Sequence, residues 1–320
     1  MTSLFDVTDN DDILALQPRL TDDDPGVRRI ALIELADLEE PDGLLWLVNR
    51  LAQDPTEEVR AEAARLLEAW EEDPVVEALC QALTDPSLAV QSAAAQSLSL
   101  LKSEAAGRVI LPWTGHAEAS VRIAAFRALR ELRFPGATAA ALAALNDADA
   151  SVRREAVGVL GWLKQLDALP ALARLASTDP DTEVRRAATG ALGLASDAQV
   201  LPALRQALQD HAWQVREEAA TTLGKVGHMD AGSALVAALS DDYWQVRLRA
   251  TRSLGRLRFA PALEALIETL GHRISNLRKE AALALGELND KGAIAPLQAA
   301  QDDGDPEVRK AVRIALSQLQ

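Results

Sequence analysis

One phrase of sequence recurs every 31 or 32 residues along this chain, and the recurrence restricts the fold more than any other feature. The phrase is Val-Arg, then Ala three residues after the Arg, then Leu four residues after that Ala, and with a few substitutions it occurs ten times. Its first positions are Val27, Val59, Val90, Val121, Val152, Val184, Val215, Val246, Leu277 and Val308. Because this spacing leaves no gap for a second fold, we expect one continuous array of repeats.

The apolar positions of each phrase predict an amphipathic helix. Offsets 0, +4, +8 and +11 from the valine fall within about 80° on a helical wheel, so they form one stripe. A second amphipathic run, such as residues 167–177, precedes the phrase, and a short turn rich in Asp, Pro and Gly separates the two. One helical hairpin cannot bury its own apolar face, so neighbouring hairpins must stack. The predicted fold class is all-α, an α-α superhelix of ten two-helix repeats over residues 11–320, preceded by an acidic tail at residues 1–10.

Charge and composition exclude several classes of protein. Residues 1–73 carry 20 Asp and Glu against 6 Lys and Arg, so nearly all of the net charge of −15 lies in the N-terminal quarter. The single cysteine, Cys80, excludes internal disulfides, and we expect it to be a small packing residue. The first residues contain neither a basic region nor a long apolar run, so no signal peptide or membrane anchor is expected. These features favour a cytoplasmic protein.

Two polar positions recur beside the valine. Five residues before it stands an acidic residue in eight repeats: Asp22, Asp54, Asp85, Asp147, Asp179, Asp210, Asp241 and Asp303. His116 and His272 replace it in repeats 4 and 9, and the Arg that follows the valine is replaced once, by Gln91 in repeat 3. A turn Asp can accept hydrogen bonds from backbone N–H groups at the start of the second helix. It can also bind an Arg of its own or of the adjoining repeat, so we expect a structural ladder along the stack.

The segments 179–193, 210–224 and 241–255, with their Asp, Val-Arg, Ala and Leu-Gly positions, resemble the HEAT-like repeats first described in phycobilisome bilin lyases. The resemblance extends over residues 11–320 and implies that the second helices line the concave wall of a superhelix. Arrays of this kind serve as protein scaffolds and adaptors, as chromophore-attachment factors, as di-iron hydroxylases and as alkylpurine DNA glycosylases. The resemblance therefore implies the fold and leaves several functions open.

The residues disfavour most chemistry. The di-iron relatives bind metal through His-Glu dipeptides, and none of the four histidines here is followed by Glu. His211 and His228 share one repeat, but two histidines without a third ligand make a weak zinc site. No Ser-His-Asp order or phosphate-binding glycine loop stands out. We expect no catalytic residue, no metal and no cofactor; any activity would be a lyase-like attachment of a chromophore or cofactor.

Basic residues cluster in only one place. Residues 246–258 hold five arginines and no acidic residue, and three of them, Arg249, Arg252 and Arg256, share one face at offsets +3, +6 and +10. Three exposed arginines are too few for a phosphate-dominated interface, which commonly makes about 6–10 contacts. DNA or RNA binding is therefore disfavoured.

The same face of repeats 5 and 6 has an unusual composition. Two glycines inside helices cost roughly 1 kcal/mol each relative to Ala, and Trp162 projects where solvent is expected. We interpret this as a hollow suited to an apolar ligand group or to an acidic amphipathic segment of a partner; alternatively, neighbouring turns cover Trp162 and the glycines relieve crowding. The candidate binding residues on this face are Arg127, Gly158, Trp162, Gly190, Leu194, Lys225, Arg249, Arg252 and Arg256.

Aromatic residues supply a second candidate surface. Trp213, Tyr243 and Trp244 lie in successive turns and are expected to stack on one rim, where aromatic side chains are favoured contact residues. The same residues are equally compatible with ordinary packing. Trp70, at offset +11, is predicted to lie in the core.

The terminal repeats carry apolar residues at positions that are polar elsewhere, namely Ile30, Ile33 and Ile314. The tail residues Leu4, Phe5 and Val7 can cover the first of these ends, or the ends can pair; we predict a monomer.

Together these features predict a non-catalytic scaffold, adaptor or assembly factor that binds another protein along its concave surface, without contact to membrane. The first alternative is a bilin-lyase-like or prosthetic-group maturation factor with Trp162 in its pocket. The second alternative is an alkylpurine DNA glycosylase-like enzyme.

Overall fold

The computed structural model describes residues 8–195 and 198–319, which contain twenty α-helices and no β-strand. The all-α class and the ten two-helix repeats are therefore confirmed. The first helices of repeats 1 to 10 are α1 (Asp11–Leu20), α3 (Leu44–Gln53), α5 (Asp73–Ala82), α7 (Glu104–Ile110), α9 (Thr138–Ala144), α11 (Leu169–Thr178), α13 (Leu201–Ala207), α15 (Gly232–Ala238), α17 (Leu263–Leu270) and α19 (Ile294–Ala299). The second helices are α2 (Pro25–Asp37), α4 (Glu57–Leu66), α6 (Leu88–Leu100), α8 (Ala119–Glu131), α10 (Ala150–Trp162), α12 (Thr182–Ala191), α14 (Trp213–Val226), α16 (Trp244–Leu257), α18 (Ser275–Leu288) and α20 (Pro306–Gln318).

The chain divides into two compact units, Met1–Leu163 and Lys164–Gln320. The N-terminal unit contains repeats 1 to 5 and the C-terminal unit contains repeats 6 to 10. Within each unit the second helices pack side by side and the first helices lie against them, so each unit consists of two helical layers. That residues 11–320 form a single array behind a tail stays a prediction of the sequence.

The apolar stripe of the second helices forms the core of each unit. Nine of the ten valine positions are completely buried, and the exception is Val27 in repeat 1, which is half-buried. Leu316, at the Leu position of repeat 10, is half-buried as well. Both exceptions belong to terminal repeats, which have a neighbour on one side only.

The exposure expected for the terminal isoleucines is confirmed. Ile30 and Ile314 are 49% and 40% exposed, and Ile33 is 36% exposed. The tail residues proposed to cover the first end, Leu4, Phe5 and Val7, lie outside the described residues.

The expected ladder is present in both units, where the arginines of repeats 1, 2, 4, 6, 7 and 9 reach the aspartate of the following repeat. Arg185 donates Nε and Nη2 to the two carboxylate oxygens of Asp210, at 2.7 and 3.0 Å. Its Nη1 donates to the backbone carbonyl of Asp179 in its own turn, at 3.0 Å. The Asp210 carboxylate also accepts the backbone N–H of Ala212 at 2.8 Å. One side-chain pair thus joins two turns, and the aspartate also holds the turn that precedes the second helix.

The same bidentate pair recurs within the units. The pairs are Arg28–Asp54, Arg60–Asp85, Arg122–Asp147, Arg185–Asp210, Arg216–Asp241 and Arg278–Asp303. These contacts change the acidity of the aspartates. Burial by itself would raise the pKa of Asp210, but the hydrogen bonds from Arg185 and from the Ala212 N–H outweigh it, so that the pKa is lowered. The pKa of Asp241 is lowered by the same balance, with Arg216 as the partner.

Removing one partner of such a pair is expected to destabilise the C-terminal unit strongly. In Asp210→Ala the Arg185 guanidinium stays buried without its carboxylate, which costs about 3–5 kcal/mol for pairs of this kind. The matched control is Arg186→Ala, because Arg186 pairs with Glu183 on the surface, where both side chains are about half exposed. This control should cost less than about 1 kcal/mol. Urea unfolding followed by circular dichroism measures both, and equal losses would refute the structural role of the ladder.

Stability should also fall in acid. The ladder aspartates have lowered pKa values in the folded state, so their contribution is complete above the ordinary pKa of Asp, about 4. It disappears as the pH falls through the lowered folded-state pKa values, where the folded carboxylates are protonated. We expect the urea midpoint to drop steeply below about pH 4. Asp210→Ala should show a shallower drop than the wild type, and identical pH profiles would contradict this assignment.

Candidate functional site

The structure distributes the candidate binding residues over both units. Arg127, Gly158 and Trp162 belong to the N-terminal unit. The remaining candidates, which belong to the C-terminal unit, are Gly190, Leu194, Lys225, Arg249, Arg252, Arg256, Trp213, Tyr243 and Trp244.

Trp162 ends α10 in the N-terminal unit, and its side chain is 52% exposed. The guanidinium of Arg133 lies over its ring, 4.7 Å from the ring centroid. Arg133 follows the end of α8 with a left-handed backbone, at φ 52°. This cation–π contact holds a large apolar ring in a defined position at the surface.

Glu155, one helical turn before Gly158, pairs with two arginines of this face. Its side chain is 5% exposed and accepts hydrogen bonds from Arg127 at 3.3 Å and from Arg130 at 2.7 Å. The prediction of a hollow at Gly158 is wrong, because the side chain of Arg130 extends from α8 across this position to reach Glu155. A Cβ atom on Gly158 would lie 3.1 Å from the Arg130 Cδ. The glycine therefore makes room for a salt bridge between neighbouring second helices.

Gly190 has the same relation to its neighbour in the C-terminal unit. A Cβ atom there would lie 2.9 Å from Oε1 of Glu218 on α14, so a side chain occupies this expected hollow too. Leu194 lies in the short 3-10 turn after α12 and is half-buried, while Lys225 is exposed. In both units a longer side chain of the adjoining second helix fills the gap beside the glycine.

The arginine stripe of α16 is paired with acidic residues from both adjoining helices. Arg249 donates to Glu217 on α14 at 3.0 Å, and Arg252 lies 3.4 Å from Glu280 on α18. Arg256 is exposed. The acidic partners of Arg249 and Arg252 lie about one repeat away in sequence. The sequence of α16 alone therefore does not show that these two arginines are paired.

The aromatic residues form a stack in the C-terminal unit. The rings of Trp213 and Tyr243 lie 5.6 Å apart and are nearly parallel, at 12°. The guanidinium of Arg216 lies over the Tyr243 ring, 5.5 Å from the ring centroid. Tyr243 is 45% exposed and Trp244 36% exposed. Of the three aromatic residues expected to stack, Trp213 and Tyr243 do so.

A cavity of about 600 Å³ lies in the N-terminal unit at the ends of α2 and α4, and no sequence motif indicates it. Glu39, Arg65, Leu66 and Trp70 are among its lining residues. The core position predicted for Trp70 is wrong, because α4 ends at Leu66 and a 3-10 turn carries Trp70 outwards into extended backbone. Trp70 is half-buried as a result.

Other chemistry receives little support from the geometry. His211 and His228 lie at opposite ends of α14, whose 14 residues span about 21 Å. Within residues 8–195 and 198–319, no three His, Cys, Asp or Glu side chains converge in a way that suits a metal ion. Burial raises the pKa of the Cys80 thiol, so this residue is a packing side chain and a poor nucleophile. Among the described helices, none combines the length and the apolar character needed to cross a bilayer.

Comparison with known proteins identifies the repeats. The family model for HEAT repeats matches residues 44–114, 107–193, 174–247 and 232–317. A search of curated proteins finds no significant match. Three solved structures are similar in fold: an engineered protein, YibA of Escherichia coli, and Kap95p in its complex with RanGDP.

The engineered protein shares 23% identity over 97% of this chain and 99% of its own, with a TM-score of 0.53. YibA shares 21% identity over 83% of this chain and 98% of its own, with a TM-score of 0.61. Kap95p shares 15% identity over 96% of this chain, with a TM-score of 0.69, and this chain covers 49% of Kap95p. At these identities the likeness concerns the fold alone.

Two glycine substitutions should separate packing between helix backbones from packing of side chains over a glycine. In Gly255→Ala the new Cβ would lie 2.7 Å from the Ala284 Cα, so α16 and α18 must move apart, at a cost of about 1–3 kcal/mol. In Gly190→Ala the neighbour is the end of the flexible Glu218 side chain, and the helical preference for Ala offsets its displacement. We expect a change within about 1 kcal/mol. Chemical denaturation of both variants measures the contrast, and equal effects would contradict the described spacing.

Proposed function

This chain belongs to the HEAT-repeat family, and we propose that it is a non-catalytic protein-binding scaffold, an adaptor or assembly factor, that recognises its partner on the layer of second helices. The observation that carries the proposal is Trp162, which is more than half exposed and held under Arg133. Large aromatic and arginine side chains supply most of the binding free energy at protein interfaces.

The fixed position of Trp162 favours recognition. An exposed side chain that already occupies one conformation loses little entropy when a partner covers it. Arg133 provides this restraint without burying the ring, since its guanidinium lies over one side only. The exposed ring and the exposed guanidinium of Arg133 suit a segment that carries an apolar group beside a carboxylate. An acidic amphipathic segment of another protein is therefore the proposed ligand.

The ion pairs argue for a protein ligand over a nucleic acid. Glu155, Glu217 and Glu280 already neutralise arginines on the second helices. A phosphate backbone would have to compete with these carboxylates, and it gains affinity mainly from cations that are free to replace counterions. The glycosylase-like alternative, which requires DNA binding, is disfavoured for the same reason. Kap95p, which has a similar fold, binds RanGDP, so a protein ligand is compatible with this architecture.

Maturation of a prosthetic group, as in a bilin-lyase-like factor with repeats of the phycobilisome-lyase type, is the second candidate function. One observation favours it, namely the cavity beside Trp70, whose volume of about 600 Å³ lies within the usual range of small-molecule sites. A bilin added to the protein would then change its visible absorption, and Trp70→Ala or Trp162→Ala would abolish the change. The absence of any spectral change in the wild type favours the scaffold.

The monomeric state stays a prediction.

The scaffold proposal predicts that partner capture depends on Trp162. Tagged wild type, Trp162→Ala and Met229→Ala are used to capture proteins from the native host, and the captured proteins are quantified by mass spectrometry. Met229 is a matched control because it is also about half exposed and lies in the C-terminal unit. We expect at least one protein to be retained by the wild type and by Met229→Ala, and to be reduced tenfold or more by Trp162→Ala, as for a loss of about 1.4 kcal/mol or more. Equal retention by all three proteins, with unchanged circular dichroism, would refute the role of Trp162.

A further inference from the structure

The Arg–Asp ladder is interrupted at two places within the units. Between repeats 3 and 4, Gln91 stands in place of Arg and His116 in place of Asp. Between repeats 8 and 9, only the acidic partner is replaced, so that Arg247 precedes His272. The two interruptions therefore differ in charge.

At the first interruption the arginine is absent, and its replacement keeps the backbone contact of the ladder. Gln91 donates its side-chain amide to the backbone carbonyl of Asp85 at 2.7 Å, which is the contact that an arginine makes elsewhere. His116 accepts the backbone N–H of Glu118 through Nδ1 at 3.1 Å, and its ring stacks on Trp113 at 5.8 Å. Gln91 carries no charge and makes this backbone contact, so no buried guanidinium is left without a carboxylate here.

The second interruption retains a cation. His272 accepts the backbone N–H of Ile274 through Nδ1 at 3.0 Å, and so performs one of the two tasks of the turn aspartate. A neutral imidazole that accepts through Nδ1 carries its proton on Nε2, and therefore has no second acceptor to offer to Arg247. The pKa of His272 is lowered by desolvation and by the charges of Arg247, Arg273 and Arg278, which favours the neutral ring.

Arg247 is left without the partner that the ladder arginines have. Its Nε atom is buried and has no hydrogen-bond partner among the described residues, whereas Nε of Arg216 and of Arg278 donates to an aspartate. The carboxylate of its own turn, Asp241, is already bound by Arg216 and by the backbone N–H of Tyr243. The side-chain Oε1 of Gln245 is also buried and unpartnered. In the part of the chain that the structure describes, only one other buried side-chain polar atom lacks a partner.

The surroundings of Arg247 resemble an interface. Arg273 is exposed, while Arg278 is occupied by Asp303. Trp244 lies three residues before Arg247 in α16, so the two side chains are neighbours on the helix surface, and Trp244 is 36% exposed. An exposed aromatic ring next to an arginine that lacks its anion is a typical composition for a protein-binding hot spot.

We propose that Arg247, His272 and Arg273 form a carboxylate-binding site, in which an Asp or Glu side chain of a protein partner binds the guanidinium of Arg247. Trp244 packs against an apolar residue next to that carboxylate. The inference rests on the proposed protein-binding function, but it assigns a surface that does not include Trp162. The ladder supplies the required chemistry, since the other Arg–Asp pairs show how a guanidinium at this position receives a carboxylate in two parallel hydrogen bonds.

The test uses the full chain and a blocked tetraglutamate peptide, with the arginine Nε–H resonances followed by NMR. The Arg247 resonance, assigned by its loss in Arg247→Gln, should shift and saturate as peptide is added. The resonance of Arg278 serves as the internal control, because Asp303 already occupies that guanidinium. His272→Asp should pair with Arg247, raise the thermal midpoint and weaken peptide binding at least tenfold. This variant is expected to fold, because Asp is the residue at this position in eight repeats.

Three results would overturn the site. These are the absence of a saturable shift at Arg247, undiminished peptide binding in His272→Asp or Arg247→Gln, and tighter binding of inorganic phosphate than of the peptide. Trp162→Ala keeps the two proposals apart, because it should leave the peptide titration unchanged. A retained titration together with failed partner capture would refute the role of Trp162 alone, and a failed titration with successful capture would refute the Arg247 site alone.

Discussion

A bidentate hydrogen-bonded pair between neighbouring turns is the contact on which the rest of each unit depends. Stacked apolar stripes bury the core, but they do not by themselves set how far one hairpin is rotated against the next. The arginine does so, because its planar guanidinium binds the following aspartate through two nitrogens and its own turn through a third, as Arg185 does. The second helices are thereby held in a fixed register, and the positions of Trp162, Glu155 and the rim aromatics follow from that register.

Most of the fold follows from local sequence. The Val, Ala and Leu positions mark the buried stripe of each second helix, and the turn Asp marks its start, so the ten hairpins are predictable from periodicity alone. The exposure of Trp162 and of the terminal isoleucines is predictable for the same reason, since an offset on a helix determines its face. The direction of the ladder is less accessible, because a turn aspartate is compatible with an Arg from either repeat.

The candidate site is much less predictable, since it depends on how adjoining helices are staggered. Gly158 and Gly190 indicate space, but only the structure shows that Arg130 and Glu218 use it. Arg249 and Arg252 form a basic stripe within one helix, and their acidic partners come from two other helices. The helical offset of Trp70 predicts its face only if the α-helix continues that far, and here a 3-10 turn replaces the helix before Trp70. Small deviations between otherwise equivalent repeats thus determine the surface.

The left-handed residue after α8 illustrates a conflict between backbone and side chain. Repeat 7 ends its second helix with Gly227 at φ 73°, a conformation that glycine adopts without steric penalty. Repeat 4 has Arg133 in the corresponding place, which costs about 1–2 kcal/mol for a residue with a Cβ atom. A glycine at this position would remove the backbone strain, but it would also remove the guanidinium that lies over the Trp162 ring. Selection for thermal robustness in the laboratory should therefore favour glycine here, whereas selection for recognition should keep the strained arginine.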